Sequence, residues 1–151
     1  MKIFVQCAAL LLAIAVAPAI HADQPLSERR LTPADLTALA GRPGPGVKMS
    51  ALVGDSRRPG LYSVRVSIPP HTRVQPHTHR DNRAVIVLSG TWHMAYGARF
   101  APEALKALPA GSFYTEPAGQ PHFAETQDEP VVLIVTGYGP SDTRMVPRQT
   151  P

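Results

Sequence analysis

Residues 76–90, PHTHRDNRAVIVLSG, set two histidines one residue apart directly ahead of a β-branched run. In an extended chain, residues i and i+2 face the same side with Cα atoms about 7 Å apart, so His77 and His79 can aim two imidazoles at one point. Pro76 fixes the backbone just before them. A lone H-x-H pattern leaves two readings open: a pair of metal ligands, or two exposed loop histidines entering a strand. Arg83 stands where a chelating carboxylate would be most useful. Val85 and Val87 share its parity, so turning the valines to a core turns Arg83 inward. The opposing reading sends Arg83 outward to pair with an acid such as Glu125.

Working outward, the chain reads as short strands punctuated by turns. Seventeen prolines and eleven glycines in 151 residues argue against long helices. "VKMSALVG" and "GLYSVRVSIPP" flank the turn-rich "DSRRPG" and form an expected hairpin. "AVIVLSG", "TWHMAYG", "GSFYTEP", "HFAET" and "VVLIVTGYG" follow, each bounded by Gly or Pro. "APEALKALPA" between two of them reads as one or two helical turns or an irregular loop. Seven or eight strands at this spacing predict an all-β sandwich or barrel. Ahead of them, "LTPADLTALAG" predicts one short helix, with Thr32 as N-cap, Pro33 at the first helical position, Asp35 at the third and Gly41 as the stop.

The first 22 residues read as a secretory signal. Lys2 gives a positive start, residues 8–16 are an unbroken apolar run, and Ala22 precedes polar Asp23. The alternative, an uncleaved anchor over residues 3–20, contains Gln6 and Pro18 and falls short of the roughly 20 apolar residues a span needs. Cleavage after Ala22 removes Cys7, the only cysteine, so the mature chain has no disulfide and no thiol chemistry. The expected division is a signal peptide at 1–22, an arm and short helix at 23–46, a barrel at 47–140 and a tail at 141–151. A periplasmic or secreted location follows, with no membrane anchor left after cleavage.

Losing Lys2 leaves 14 basic against 11 acidic residues, a net of +3. The arginines are scattered and no aromatic-interleaved basic stripe appears, which argues against nucleic acid as a partner. Small anions are mildly favoured.

A third histidine joins the pair. "GSFYTEPAGQPHF" delivers His122 through a Pro-Ala-Gly-Gln-Pro turn onto the next strand. Here the sequence resembles the cupin family. Its first motif, G-x5-H-x-H-x3–4-E-x6-G, aligns with His77, His79 and Gly90, with His71 at the opening glycine and Arg83 at the glutamate. The second, G-x5-P-x-G-x2-H-x3-N, aligns with Gly111, Pro117, Gly119 and His122, with Thr126 at the asparagine. The resemblance runs from about Met49 to Tyr138 and is nearest to small exported single-domain cupins ending in a strand like "TGYGP". It implies an antiparallel jelly-roll barrel of six to eight strands, with a divalent metal (Fe, Mn, Ni or Zn) held in its mouth by His77, His79 and His122.

The departures from the motifs set the chemistry. His71 is expected as a turn residue, since His tolerates the left-handed region. Thr126 loses an amide yet can still hydrogen-bond. A guanidinium at Arg83 stays protonated and offers no lone pair, so the ligand set is at most three histidines unless Asp81 joins it. Asp81 otherwise reads as a turn-stabilising residue, and Glu116, at a strand end, as a solvated carboxylate or general base. His93 is expected outside, with Trp92 and Met94 inside; Tyr96, Tyr114 and Tyr138 are pocket or core candidates.

Neutral imidazoles suit several first-row ions. A dication plus Arg83 brings roughly +3 into a barrel mouth, which calls for an anion. Arg83 is therefore the candidate catalytic group and a small anionic molecule the expected ligand; a homodimer stays open. Two functions follow: a three-histidine metal-dependent enzyme, dioxygenase-like or acting through Lewis acidity, or a non-catalytic metal or small-ligand binding module. A lack of acid–base pairs argues against hydrolysis and isomerisation.

Overall fold

A computed structural model describes residues 24–39 and 46–147. The signal peptide and its cleavage site, Cys7, Gly41 and most of the Pro-Gly linker lie outside the described residues. Residues 24–32 form no regular element and lead into α1 (Pro33–Leu39). The capping pattern is present: the Thr32 backbone N–H donates to Asp35 Oδ2 at 2.8 Å, and the Asp35 N–H donates to Thr32 Oγ1 at 3.3 Å.

Among the described residues ten strands follow: β1 (Lys48–Val53), β2 (Gly60–Ile68), β3 (Arg73–Thr78), β4 (Arg83–Ser89), β5 (Trp92–Tyr96), β6 (Lys106–Leu108), β7 (Phe113–Glu116), β8 (His122–Glu125), β9 (Val131–Gly139) and β10 (Arg144–Met145). They make two five-stranded sheets, ordered β1-β2-β9-β4-β7 and β10-β3-β8-β5-β6. Every pairing is antiparallel. This is the antiparallel two-sheet barrel that the resemblance to cupins implies. The expected hairpin is β1–β2, while "APEALKALPA" resolves into a short 3-10 turn (Pro102–Ala104) followed by β6.

Alternation explains which sheet faces meet. In β2, Tyr62, Val64, Val66 and Ile68 are buried, and in β9, Val131, Leu133 and Val135 are buried. The two strands pair over nine residues, from Gly60 opposite Gly139 to Ile68 opposite Val131, which lines their apolar sides up on one face. Val85 and Val87 of β4 extend that face, and Trp92, Met94, Leu108 and Ala124 close it from the second sheet. Burying a Val, Leu or Ile side chain contributes about 1.5–3 kcal/mol, so this layer holds the barrel together without disulfides.

Two departures from the motifs behave as read. His71 takes φ 53°, and Thr126 is buried with its hydroxyl donating to the Pro69 carbonyl at 2.6 Å and accepting from the Thr72 N–H at 2.9 Å. Thr126 thus ties the β2–β3 turn together. His93 is half-buried between buried Trp92 and Met94. Residues beyond Gly139 do more than trail: β10 pairs with β3, placing Met145 opposite His77.

Candidate metal centre

His77 is the last residue but one of β3, His122 opens β8, and the two face each other directly in the ladder. A register shift between Val74 and His77 bulges the strand around Pro76, which has no N–H to give the ladder. His79 lies just past the strand end. The alternation that begins at His77 carries through the turn: His77, His79, Asp81, Val85 and Val87 are buried and Arg83 is half-buried, while Arg80, Asn82 and Ile86 are exposed and Thr78 and Ala84 half-buried. Side-chain parity therefore survives the β3–β4 turn, and four polar side chains point into the barrel with the valines.

The three histidines converge. Ring centroids are 4.3 Å apart for His77 and His122, 4.8 Å for His77 and His79, and 5.1 Å for His79 and His122. One nitrogen from each lies within 4.8 Å of the others, slightly wider than the roughly 4 Å that bonds near 2 Å suggest. The outer nitrogens are fixed. His77 Nδ1 meets the Gln75 carbonyl at 2.8 Å, His79 Nδ1 the Asp142 carbonyl at 2.6 Å, and His122 Nδ1 the Gln120 carbonyl at 3.1 Å. A carbonyl only accepts, so each Nδ1 carries the proton and each Nε2 keeps its lone pair. Burial holds the protonation of His77 and His122 below the usual imidazole range and brings His79 down to about 4, with the nearby Arg83 charge adding to it. All three are neutral at pH 7. His122 Nε2 is buried without a hydrogen-bond partner, as a nitrogen reserved for a metal would be. Chemistry and placement fit a divalent ion.

Arg83 faces inward, its side chain 13% exposed. Its guanidinium is bound by the Ser141 hydroxyl, by the Asp142 carbonyl at 3.2 Å, by Asp81 Oδ1 at 3.6 Å from Nε, and by Glu116 Oε2 at 3.5 Å from Nη1. Glu125, the partner in the outward reading, pairs with Arg73 instead.

Two sequence expectations need correction. Glu116 is not solvated: it is buried, directly opposite Arg83 in the β4–β7 ladder, with Oε2 3.5 Å from His79 Nε2 and Oε1 3.6 Å from His122 Nε2. Burial pushes its carboxyl up, against the pull of Arg83. Its parity with buried Tyr114 was the available signal; its position before Pro117 pointed the other way. Asp81, read as a turn-stabilising residue, is instead buried. Its Oδ2 accepts from the Tyr62 hydroxyl at 2.6 Å, deep in the barrel. Burial and that hydrogen bond push Tyr62 up to about 12. Sequence reasoning did not single out Tyr62, which reads as one more apolar-side residue of β2.

These carboxylates change the charge count. Asp81 and Glu116 set two formal negative charges against Arg83, so a dication would leave about +1 rather than +3. They also supply the buried carboxyl and phenol groups whose lack had argued against proton-transfer chemistry. A relay links the core to the site: Trp92 Nε1 donates to the Tyr114 hydroxyl at 3.0 Å, which donates to Glu116 Oε1 at 3.2 Å. Tyr96 and Tyr138 sit on the outside.

Comparison with known proteins agrees with this geometry. No curated protein matches the chain. Among solved structures, a conserved protein with a double-stranded β-helix domain from Klebsiella pneumoniae superposes with a TM-score of 0.60 at 18% identity, over 78% of this chain and 98% of that one. An RmlC-like cupin from Shewanella frigidimarina gives 0.54 at 21% identity, over 75% and 92%. The DMSP lyase DddQ from Ruegeria pomeroyi gives 0.52 at 21% identity, over 62% of this chain. The chain spans about half (47%) of that lyase's length. At these identities the likeness is one of fold. The profile of the ChrR cupin-like domain matches residues 28–142, nearly all of the described barrel and its N-terminal arm. The chain belongs to the ChrR cupin-like family of the cupin superfamily.

Proposed function

We propose that this is an exported cupin in which His77, His79 and His122 hold one divalent first-row ion and Arg83 receives a small anionic organic ligand beside it, with dioxygenase-like oxidation as its catalytic form. The observation that carries the reading is the set of three Nδ1–carbonyl contacts at 2.8, 2.6 and 3.1 Å, which leave three neutral Nε2 atoms facing one another. When bound, such an ion supplies Lewis acidity, and redox chemistry if it is iron.

The chain's own residues do the rest. The backbone carbonyls of Gln75, Gln120 and Asp142 fix each ring's tautomer and plane. Ser141 and the Asp142 carbonyl anchor one edge of the Arg83 guanidinium, and a planar fork so held suits a carboxylate. Arg83 Nε is buried and makes no hydrogen bond, its nearest acid being Asp81 Oδ1 at 3.6 Å. Export is supported by the positive start, apolar run and Ala22–Asp23 junction in the sequence.

Metal analysis of protein purified from the periplasm tests the function, together with Zn(II) and Fe(II) titration of the metal-free form. Replacing any one histidine by Ala lowers affinity at least about 10- to 100-fold and leaves far-UV circular dichroism unchanged. Iron in the purified protein supports oxygen chemistry, whereas zinc points to binding without oxidation. Protein that neither carries nor takes up a divalent ion refutes the reading. Mass spectrometry of the exported product is expected to show a chain beginning at Asp23.

A further inference from the structure

We infer that Glu116 is the fourth ligand of this metal site: the carboxylate that the cupin motif places on β4 is supplied here from the neighbouring strand β7. The inference rests on the three-histidine reading and adds a residue to it. Position 83 carries Arg, and its direct cross-strand partner is Glu116. Residues opposite each other in a ladder have Cβ atoms about 4.5–5.5 Å apart. A carboxylate moved from position 83 to 116 therefore stays within a side chain's reach of the same point, while the guanidinium takes the place it left.

Distances support ligation over simple pairing. Two ligand atoms each about 2.0–2.2 Å from one ion, at a tetrahedral angle, stand about 3.4 Å apart. Glu116 Oε2 is 3.5 Å from His79 Nε2, and Oε1 is 3.6 Å from His122 Nε2. Both exceed hydrogen-bond length, and with each Nε2 unprotonated no proton bridges these atoms, so the separations suit two ligands of one ion. The His122 Nε2 that faces Glu116 is the one buried without a hydrogen-bond partner.

Arg83 shares the carboxylate without enclosing it. Its Nη1 donates to Oε2 at 3.5 Å, a long contact to one oxygen only, while Nη2 engages the Ser141 hydroxyl and the Asp142 carbonyl. Tyr114 holds Oε1 from behind at 3.2 Å and is itself held by Trp92, the kind of support that orients a ligating carboxylate. Asp81, the other buried acid, is turned to Tyr62 and Arg83, and among the described residues no ion pair joins it to a histidine. A carboxylate ligand lowers the net charge at the ion by one and hardens the set from three nitrogens to three nitrogens and an oxygen, which favours Fe, Mn, Co and Zn over Cu(I).

Cobalt(II) is the probe, because its visible d–d bands report ligand type and number. Mature wild-type protein, Glu116→Gln and the double swap Arg83→Glu/Glu116→Arg are titrated with Co(II), and the metal-free forms are checked for folding by circular dichroism. Glu116→Gln is expected to bind Co(II) at least about 10-fold more weakly with shifted bands, and the swap to regain affinity by returning the carboxylate to β4. The swap also keeps the cross-strand pair, so it reports on ligation even if Glu116→Gln folds poorly. Wild-type binding with unchanged bands in Glu116→Gln, whatever its affinity, overturns the ligand role and leaves the three-histidine reading standing. No Co(II) binding by wild type overturns both.

Discussion

Removing the Arg83 guanidinium from the metal-free protein is the perturbation that most directly tests how the site is balanced. Arg83→Met keeps much of the aliphatic stem and deletes the charge. It leaves two carboxylates without their cation: Asp81, 3.6 Å away with its side chain 5% exposed, and Glu116, 3.5 Å away and 8% exposed. At an effective dielectric near 20, each contact represents about 4–5 kcal/mol of gross attraction. The net cost of breaking a buried pair by deleting one partner is about 3–5 kcal/mol. For a domain of this size, that is a fall of about 10–20 °C in Tm. Thermal unfolding of chelator-treated wild type and variant, followed by circular dichroism, reads it directly.

The pH dependence of that deficit adds a second check. Without the guanidinium, the burial that already raises the Glu116 carboxyl acts without the opposing pull of Arg83, so the folded variant binds more protons than the unfolded chain. Stability then rises as pH falls, and the deficit shrinks from pH 8 towards pH 5. A saturating divalent ion should recover part of the loss in place of the missing cation, about 2.7 kcal/mol at 100 times its Kd. A deficit of 1 kcal/mol or less at every pH is what an exposed ion pair gives, and it would refute the buried counter-ion role.

Metal-free wild type should lose stability on acidification. Burial lowers the folded protonation of His79 from 6.5 to about 4, so the unfolded chain binds more protons between those values. Stability rises with pH across that window; urea unfolding at pH 5 and pH 7 checks it, with a smaller pH effect expected for His79→Gln. Gly137→Ala would put a Cβ 2.6 Å from the Tyr62 hydroxyl oxygen and 2.7 Å from Asp81 Oδ2. Overpacking of this kind costs about 1–3 kcal/mol, and Tyr62→Phe in the same chain should return part of it by removing the closest atom. Thr126→Val strands the Thr72 N–H and the Pro69 carbonyl; a loss of about 1–3 kcal/mol in chemical denaturation is expected.

Strands whose residues alternate cleanly announced themselves. β2 and β9 do so over nine residues each, and their Gly and Pro boundaries are visible in the sequence. β3, β6 and β10 did not. β3 carries Arg, Gln and Pro among its six residues, β6 has three residues and β10 two, so each exists through its partner rather than its own pattern. The histidines were legible because their spacing matches a motif, and Arg83 because the valines after it fix its side. Asp81 and Glu116 were not. One sits in a turn across which parity is not assured, and the other sits beside a proline at a strand end; both positions favour solvent unless a tertiary partner claims the side chain. Here Tyr62, from a strand 19 residues earlier, claims Asp81. Cross-strand neighbours are the information a local reading lacks.

The Asp142 carbonyl both sets the tautomer of His79 and holds the Arg83 guanidinium. Two of the site's inward groups are therefore fixed by a residue that lies beyond β9, after all three histidines and both carboxylates in chain order. Synthesis runs from the N-terminus, so all three histidines and both carboxylates exist well before the residue that locks two of the site's groups in place. Nascent chains and C-terminally clipped molecules should then share one defect, a formed barrel with a loosely held centre. The segment after β9 serves as a quality mark, read out by whether the three histidines can hold a divalent ion.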